Sequence, residues 1–343
     1  MGRVVLVTGV SRYLGAGLAR LLQGEPDVDR IIGVDVVSPG YDLGRVEFVR
    51  ADIRNPIIAK VIASAEVDTV AHLNIISTPY GAGGRPSMKE INVIGTMQLL
   101  AACQKAPSVR KLVVKSTTSV YGCSPRDPAM FTEEMEPKEL PRSGWAKDAC
   151  EVEGYVRGFS RRRPDVAVTV LRFASFLGPG IDTPLSRYFS LPVIPKVLGF
   201  DARLQFVHED DGLEVLRRAV VEDYPGTYNI AGDGVMFLSQ AIRRLGRPML
   251  PVPTPAASAM GLVLRRFGVV DFTPEQVRYL TYGRAVDTTR MREELKFEPR
   301  YSTLETFDDF ARARGLRRVI PLEPLERFEA RFAASAAGRG TDA

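Results

Sequence analysis

Two alternating patterns of apolar positions run along this chain of 343 residues. Short apolar strand-like runs occur at Val4–Val7, Ile31–Val34, Val46–Val49, Val67–His72, Lys111–Lys115 and Val166–Leu171. Between them, at Leu14–Leu22, Ile57–Ile62, Ile91–Cys103 and Lys147–Phe159, apolar residues recur every three or four positions. The short runs predict strands buried on both faces, and the 3.6-residue period predicts helices. Strand–helix alternation through the first half of the chain predicts an α/β fold, a Rossmann-type doubly wound parallel sheet with helices on both faces. Ligands of such sheets sit beyond the carboxyl ends of the strands, where strand order reverses. Chemistry-bearing residues are therefore expected just after each strand.

The residues at those places agree. The first strand runs into Thr8-Gly9 and then Arg12-Tyr13-Leu14-Gly15, a glycine turn opening a helix. Such a turn presents backbone N–H groups of a helix N-terminus to a pyrophosphate. Gly9 and Gly15 hold the outer glycine places, but the place between them, where backbone approaches phosphate most closely, holds Arg12. A side chain there either intrudes on the phosphate or forks its guanidinium onto it, and the sequence leaves both open. Asp35 ends the second strand, twenty residues after Gly15. An acid at that place accepts hydrogen bonds from ribose hydroxyls and repels a 2′-phosphate, which predicts NAD over NADP. Asp52-Ile53 follows the third strand, and His72-Leu73-Asn74 follows the fourth, where side chains are expected to face the cofactor.

Composition narrows the classes. Hydrophobic content of 45% and charged content of 25% are those of an ordinary globular protein. The net charge of +5 is spread over short runs such as Arg161-Arg162-Arg163 and Arg217-Arg218, which read as solvated helix ends, not a nucleic-acid surface. Cys103, Cys123 and Cys150 form no CxxC pair, and His72 and His208 stand alone. This predicts no metal site and no disulfide framework, and it fits a reducing cytoplasm. The N-terminal apolar run is too short for a signal peptide, and no window has the ~20 apolar residues a bilayer span needs. Met260–Leu264 is expected to be packed helix, and the low-complexity Ala333–Ala343 a disordered tail.

The order of these pieces resembles the extended short-chain dehydrogenases/reductases, the NAD-dependent epimerase/dehydratase family. The pieces are Thr8-Gly9…Gly15, Asp35, Asp52-Ile53, Asn92…Gly95-Thr96, Ser116-Thr117…Tyr121-Gly122 and Leu171-Arg172-Phe173…Gly178-Pro179-Gly180. Phe206-Val207-His208, Tyr228-Asn229-Ile230 and Asp287…Arg290…Pro299 complete them. The resemblance implies NAD as cofactor, bound by Gly9, Arg12, Tyr13, Leu14, Gly15, Asp35, Asp52, Ile53, Leu73, Asn74, Asn92, Lys147 and Phe173. It implies a nucleotide-binding unit over 1–175, with returns at about 204–232 and 284–290. A substrate lobe is expected from 176–203 and 233–320, then a tail over 321–343. The partner implied is a small-molecule substrate bearing a sugar or other alcohol. Relatives commonly dimerise through two helices per subunit, which here are 91–104 and 147–160, so a homodimer is expected.

The resemblance also locates the chemistry. The family uses a Tyr-x-x-x-Lys pair on a helix, with a small hydroxyl at the end of the fifth strand. Thr117 takes the hydroxyl place and Lys147 the lysine place, in the register set by Gly144, Lys147 and Glu151. The tyrosine place holds Ser143. A serine hydroxyl has a far higher pKa than a phenol and sits closer to the backbone, so it is a poor acid–base there. Tyr121 is the other tyrosine expected near the cleft. The family's substrate-lobe asparagine is Ser175, and the arginine that contacts a nucleotide-sugar diphosphate aligns with Leu204, with Arg203 beside it. The expected function is an NAD-binding epimerase/dehydratase-like protein with a degenerate active site. The alternative is a non-catalytic dinucleotide-binding sensor or scaffold.

Overall fold

The computed structural model describes residues 2–77, 83–141, 144–256 and 273–316. Strand β1 (Arg3–Thr8) leads through the glycine turn into α1 (Tyr13–Leu21), and β2 (Val28–Asp35), β3 (Glu47–Arg50), α2 (Ile57–Ser64) and β4 (Thr69–His72) follow. Helix α3 (Arg85–Lys89), a π-helical turn (Glu90–Gly95) and α4 (Thr96–Lys105) then run on without a break. Next come β5 (Lys111–Thr117), α5 (Gly144–Arg162) and β6 (Ala167–Phe173). The second half alternates short elements. They are β7 (Ser175–Leu177), α6 (Pro184–Phe189), β8 (Ile194–Val197), β9 (Arg203–Leu204), β10 (Phe206–His208) and α7 (Glu209–Val221). After these come β11 (Gly226–Ile230), β12 (Met236–Phe237), α8 (Leu238–Leu245) and β13 (Met249–Val252), then α9 (Pro274–Tyr282), α10 (Thr289–Glu293) and α11 (Thr303–Ala313).

Seven strands form one parallel sheet in the order β11-β6-β5-β4-β1-β2-β3. The order reverses between β1 and β4, so the crevice there opens beside the glycine turn. All six strands expected from the apolar runs are in this sheet, and β11 joins it from the second half. Alternation along β5 divides the core: Val113 packs with α1 and α7, while Leu112 and Val114 pack with α2, α4 and α5. A third cluster lies under the second half, built on Tyr188, Phe189, Phe206, Phe307 and Phe310. The short strands in this half pair among themselves, β7 with β10, β9 with β12 and β8 with β13.

The helix expected over Ile91–Cys103 starts as the π turn. Asn92 is fully buried there; its side chain accepts from the Ile76 N–H (2.7 Å) and donates to the Ile76 carbonyl (2.9 Å). The wide turn thus pins the segment after β4, a place where a buried backbone pair needs an internal partner. Among the described residues no helix is long and apolar enough to cross a membrane. The segment expected as packed helix around Met260–Leu264 and the tail from 321 lie outside the described residues, as does Ser143.

Candidate functional site

The glycine turn is built by geometry that side chains oppose. Gly9 has φ +81°, and its N–H bonds to the Val34 carbonyl at 2.9 Å, tying the turn to β2. A Cβ on Gly15 would lie 2.1 Å from the Gly9 carbonyl oxygen, so α1 can start this close to the turn only with glycine there. Helix α1 has no side-chain cap. Its first-turn N–H groups are the orphan donors that an anion satisfies.

A cleft of about 630 Å³ opens at this turn and runs to the second half of the chain. Of the residues expected at the site, Gly9, Arg12, Tyr13, Leu14, Gly15, Leu73, Thr117 and Phe173 line it. Asp35, Asp52, Ile53, Asn74, Asn92 and Lys147 do not line it. Asp35 is buried beside the turn, one carboxylate oxygen accepting from the Ser11 N–H (3.1 Å) and the other from the Val36 N–H (2.8 Å). Asp52 is forked by the Arg54 guanidinium, which holds its carboxyl below the usual range. The Lys147 side chain is 46% exposed and lies 3.9 Å from Glu151 on its own helix.

Three tyrosines at or near the cleft, Tyr121, Tyr13 and Tyr279, have their hydroxyls engaged within the protein. Tyr121 is 1% exposed and stacks on Phe131; its hydroxyl donates to Asn229 (2.8 Å) and accepts from Arg172 (2.7 Å). Arg172 in turn makes a two-pronged bond to Glu153 (3.0 and 2.7 Å), which also accepts from Ser116 (2.6 Å). Tyr121 is therefore part of a buried network and absent from the cleft wall. Tyr13 does line the cleft, but its hydroxyl donates to Glu209 at 2.6 Å, and Glu209 also accepts from the Gly180 and Ile181 N–H groups. Tyr279 lines it too, with its hydroxyl 3.5 Å from Ser175, and burial pushes its phenol pKa up. A phenol shifted upward is ionised still less near neutral pH, so less phenolate is available to take a proton.

Arginines supply the opposite wall. Arg284 lines the cleft and spends its donors on the segment after β5, at Thr118, Gly122 and Ser119 (3.3, 2.8 and 2.8 Å). Arg278 holds the Cys123 carbonyl (3.0 and 2.8 Å). Arg203 turns away to the carbonyls of Ala129 and Pro128 (3.1 and 3.2 Å), and Leu204 is in the core. Neither residue reaches the cleft, so Arg203 does not stand in for the missing arginine.

Sequence reasoning missed Lys115. It lies in β5 beside buried Val113 and Val114 and lines the cleft, with Nζ 3.3 Å from the Ile75 carbonyl. Burial, then the charge of Arg12, pushes its amine down to about 8. The signal was present: a lysine inside an otherwise apolar run of a central strand has to reach the strand's end to find a polar partner.

These features have a family. The chain belongs to the NAD dependent epimerase/dehydratase family, whose model matches residues 5–231. An uncharacterised protein of Mycobacterium tuberculosis is 50% identical over 96% of this chain and 89% of its own length. A probable UDP-arabinose 4-epimerase of Oryza sativa is 26% identical over 51% of this chain and 45% of its own. Among solved structures, the UDP-glucose 4-epimerase of Thermotoga maritima with UDP-glucose superposes with a TM-score of 0.69 at 18% identity, covering 91% of this chain and 98% of that one. The UDP-glucuronic acid 4-epimerase of Bacillus cereus, in complex with UDP-glucuronic acid and NAD, gives 0.70 at 18% identity, covering 92% of this chain and all of that one. The fold is shared across the length of the described core.

Proposed function

We propose that this protein binds NAD in the cleft and is an epimerase/dehydratase-like protein for a sugar- or other alcohol-bearing substrate, a sugar nucleotide first among them, with a degenerate active site. The single observation that carries the cofactor reading is the cradle at the turn: a glycine that tolerates no Cβ, an uncapped helix start, and the Asp35 carboxylate bonded to the turn at Ser11. A dinucleotide's diphosphate and adenine ribose have that shape and polarity. Arg12, Tyr13, Leu14, Gly15, Leu73 and Phe173 would line it, with Asp35 toward the ribose, and Asp52, Ile53, Asn74 and Asn92 as outer support.

When bound, NAD supplies a hydride acceptor. The protein's own task is to hold the alcohol and take its proton. Thr117 lines the cleft at the end of β5 and can hold a substrate hydroxyl, its oxygen already accepting from the Ser119 N–H at 3.1 Å. The proton lacks the usual acceptor, because Ser143 stands in the tyrosine place, Tyr121 is locked to Arg172, and Lys147 pairs with Glu151. The second reading, a non-catalytic dinucleotide sensor or scaffold, draws support from that same Lys147 geometry. The proposal includes a homodimer through the 91–104 and 147–160 segments, supported by exposed Ile94, Met97 and Tyr155.

Calorimetric titration with NAD and NADP tests the cofactor reading. NAD is expected to bind and NADP to bind more weakly. No heat with either at millimolar concentration overturns it. Ser143→Tyr, assayed by NMR on UDP-hexoses, is expected to raise turnover ~10²–10⁴-fold if the site is an attenuated enzyme. An unchanged rate favours the sensor reading.

A further inference from the structure

Among the described residues, two cations of the cleft, Lys115 and Arg12, have no carboxylate hydrogen-bonded to them. Lys115 shares its face of β5 with Val113 and Thr117, two residues to either side, because side chains alternate along a strand. That is the face on which Val113 packs with α1, so the lysine side chain runs beneath the glycine turn. Among the described residues no carboxylate pairs with Lys115; its hydrogen-bond partner is a single carbonyl, that of Ile75. Arg12 extends from the turn into the same cleft, and its side chain makes no hydrogen bond or ion pair among the described residues. It feels Asp35 at longer range. Lys115 is half-buried and Arg12 is exposed at the turn; a half-buried cation without a counter-ion is poised for a ligand that brings the anion.

We propose that Lys115 is a ligand-binding residue which, with Arg12, forms a two-cation clamp for the diphosphate of a dinucleotide in this cleft. The clamp rests on the cofactor reading above and deepens it. It accounts for Arg12 in the middle glycine place. A Cβ there keeps the phosphates from their closest approach to the backbone, and two side-chain cations replace the lost contact with charge-assisted bonds. A diphosphate brings two negative charges to two positive ones. A nucleotide sugar carries the same group, but Arg12 stands in the turn between Gly9 and Gly15 and Lys115 feels its charge, which puts the clamp on the turn side of the cleft.

The surroundings of Lys115 make the clamp readable as a proton. Arg12 faces it from the turn and His72 lies on β4, buried and pushed down to about 3, so it is neutral. The residue paired with Lys115 on β6 is Leu171. With its amine near 8 in the free protein, the lysine takes up a proton at pH 8 when a diphosphate arrives, because the anion raises its affinity for the proton.

Calorimetry on the full chain tests this, with NAD and UDP-glucose as probes, at pH 8 in two buffers of different ionisation enthalpy. Wild type is expected to take up a fraction of a proton with NAD. Lys115→Met is expected to bind NAD at least about tenfold more weakly, with that uptake gone, and Lys115→Arg to recover most of the affinity. Lys115→Met without ligand is expected to melt no lower than wild type, since an unpaired, half-buried charge is removed. Equal NAD affinity and equal proton uptake in wild type and Lys115→Met overturn the clamp and leave the cofactor reading standing. Loss of UDP-glucose binding with NAD binding intact overturns it in favour of a substrate contact. Wild type that binds neither probe overturns the cofactor reading and the clamp together.

Discussion

Arg172 illustrates how one side chain can settle the role of another. Its guanidinium holds Glu153 with two bonds and Tyr121 with a third, all inside the sheet–helix interface. The tyrosine that sits closest in sequence to the end of β5 is consequently structural. Removing one partner of such a pair leaves a bare buried charge. Arg172→Met is expected to destabilise the protein by about 3–5 kcal/mol, read from urea unfolding, while Arg172→Met with Glu153→Met recovers a large part. A loss under about 1 kcal/mol for the single variant would mean that the network is solvated and Tyr121 free to move.

At the scale of elements, the β1–turn–α1 unit is the most constrained piece of the cleft. Gly15→Ala puts a methyl 2.1 Å from the Gly9 carbonyl oxygen and forces the helix away from the turn. The variant is expected to lose NAD binding in titration, with a lowered melting temperature. Gly24→Ala, at the end of the short turn after α1, meets nothing within 4 Å and is expected to leave both unchanged within about 0.5 kcal/mol. The π turn before α4 acts differently. It gains nothing for the helix but turns Asn92 inward to hold Ile76, and Ile76 lines the cleft.

The whole molecule responds to acid through a residue at its centre. His72 accepts at Nδ1 from Thr8 (2.9 Å) and donates from Nε2 to Thr96 (2.8 Å), whose own hydroxyl donates to the Asn92 carbonyl (2.5 Å). That chain of donors fits one neutral tautomer and leaves no acceptor for a second ring proton. Burial, then Lys115, pushes the imidazole down to about 3. The unfolded histidine titrates near its ordinary value, so the unfolded state binds the extra proton first, and stability falls as pH drops below about 6.5. Between pH 7 and pH 5 the loss from this group is about 2 kcal/mol. Urea unfolding across that range is expected to show the slope in wild type and a flatter one in His72→Gln; equal slopes would assign the acid sensitivity elsewhere.

The alternating apolar runs determined the parallel sheet and its crossovers, because a buried strand and an amphipathic helix each carry a period that survives in one dimension. Gly9, Gly15 and Asp35 were legible for the same reason: each is tied to a fixed offset from the first strand. The partners of Lys115, Arg172 and Glu209 were not, since they lie on elements far away in the chain. No local pattern says whether Lys147 turns into a cleft or pairs with Glu151, nor that Arg203 faces the carbonyls of 128 and 129. Packing decides those, because each depends on which chain segment happens to stand opposite. The sequence by itself determined the family and the cradle; only the tertiary structure decided which charges meet inside it, and it brought Arg12 and Lys115 to the same cleft.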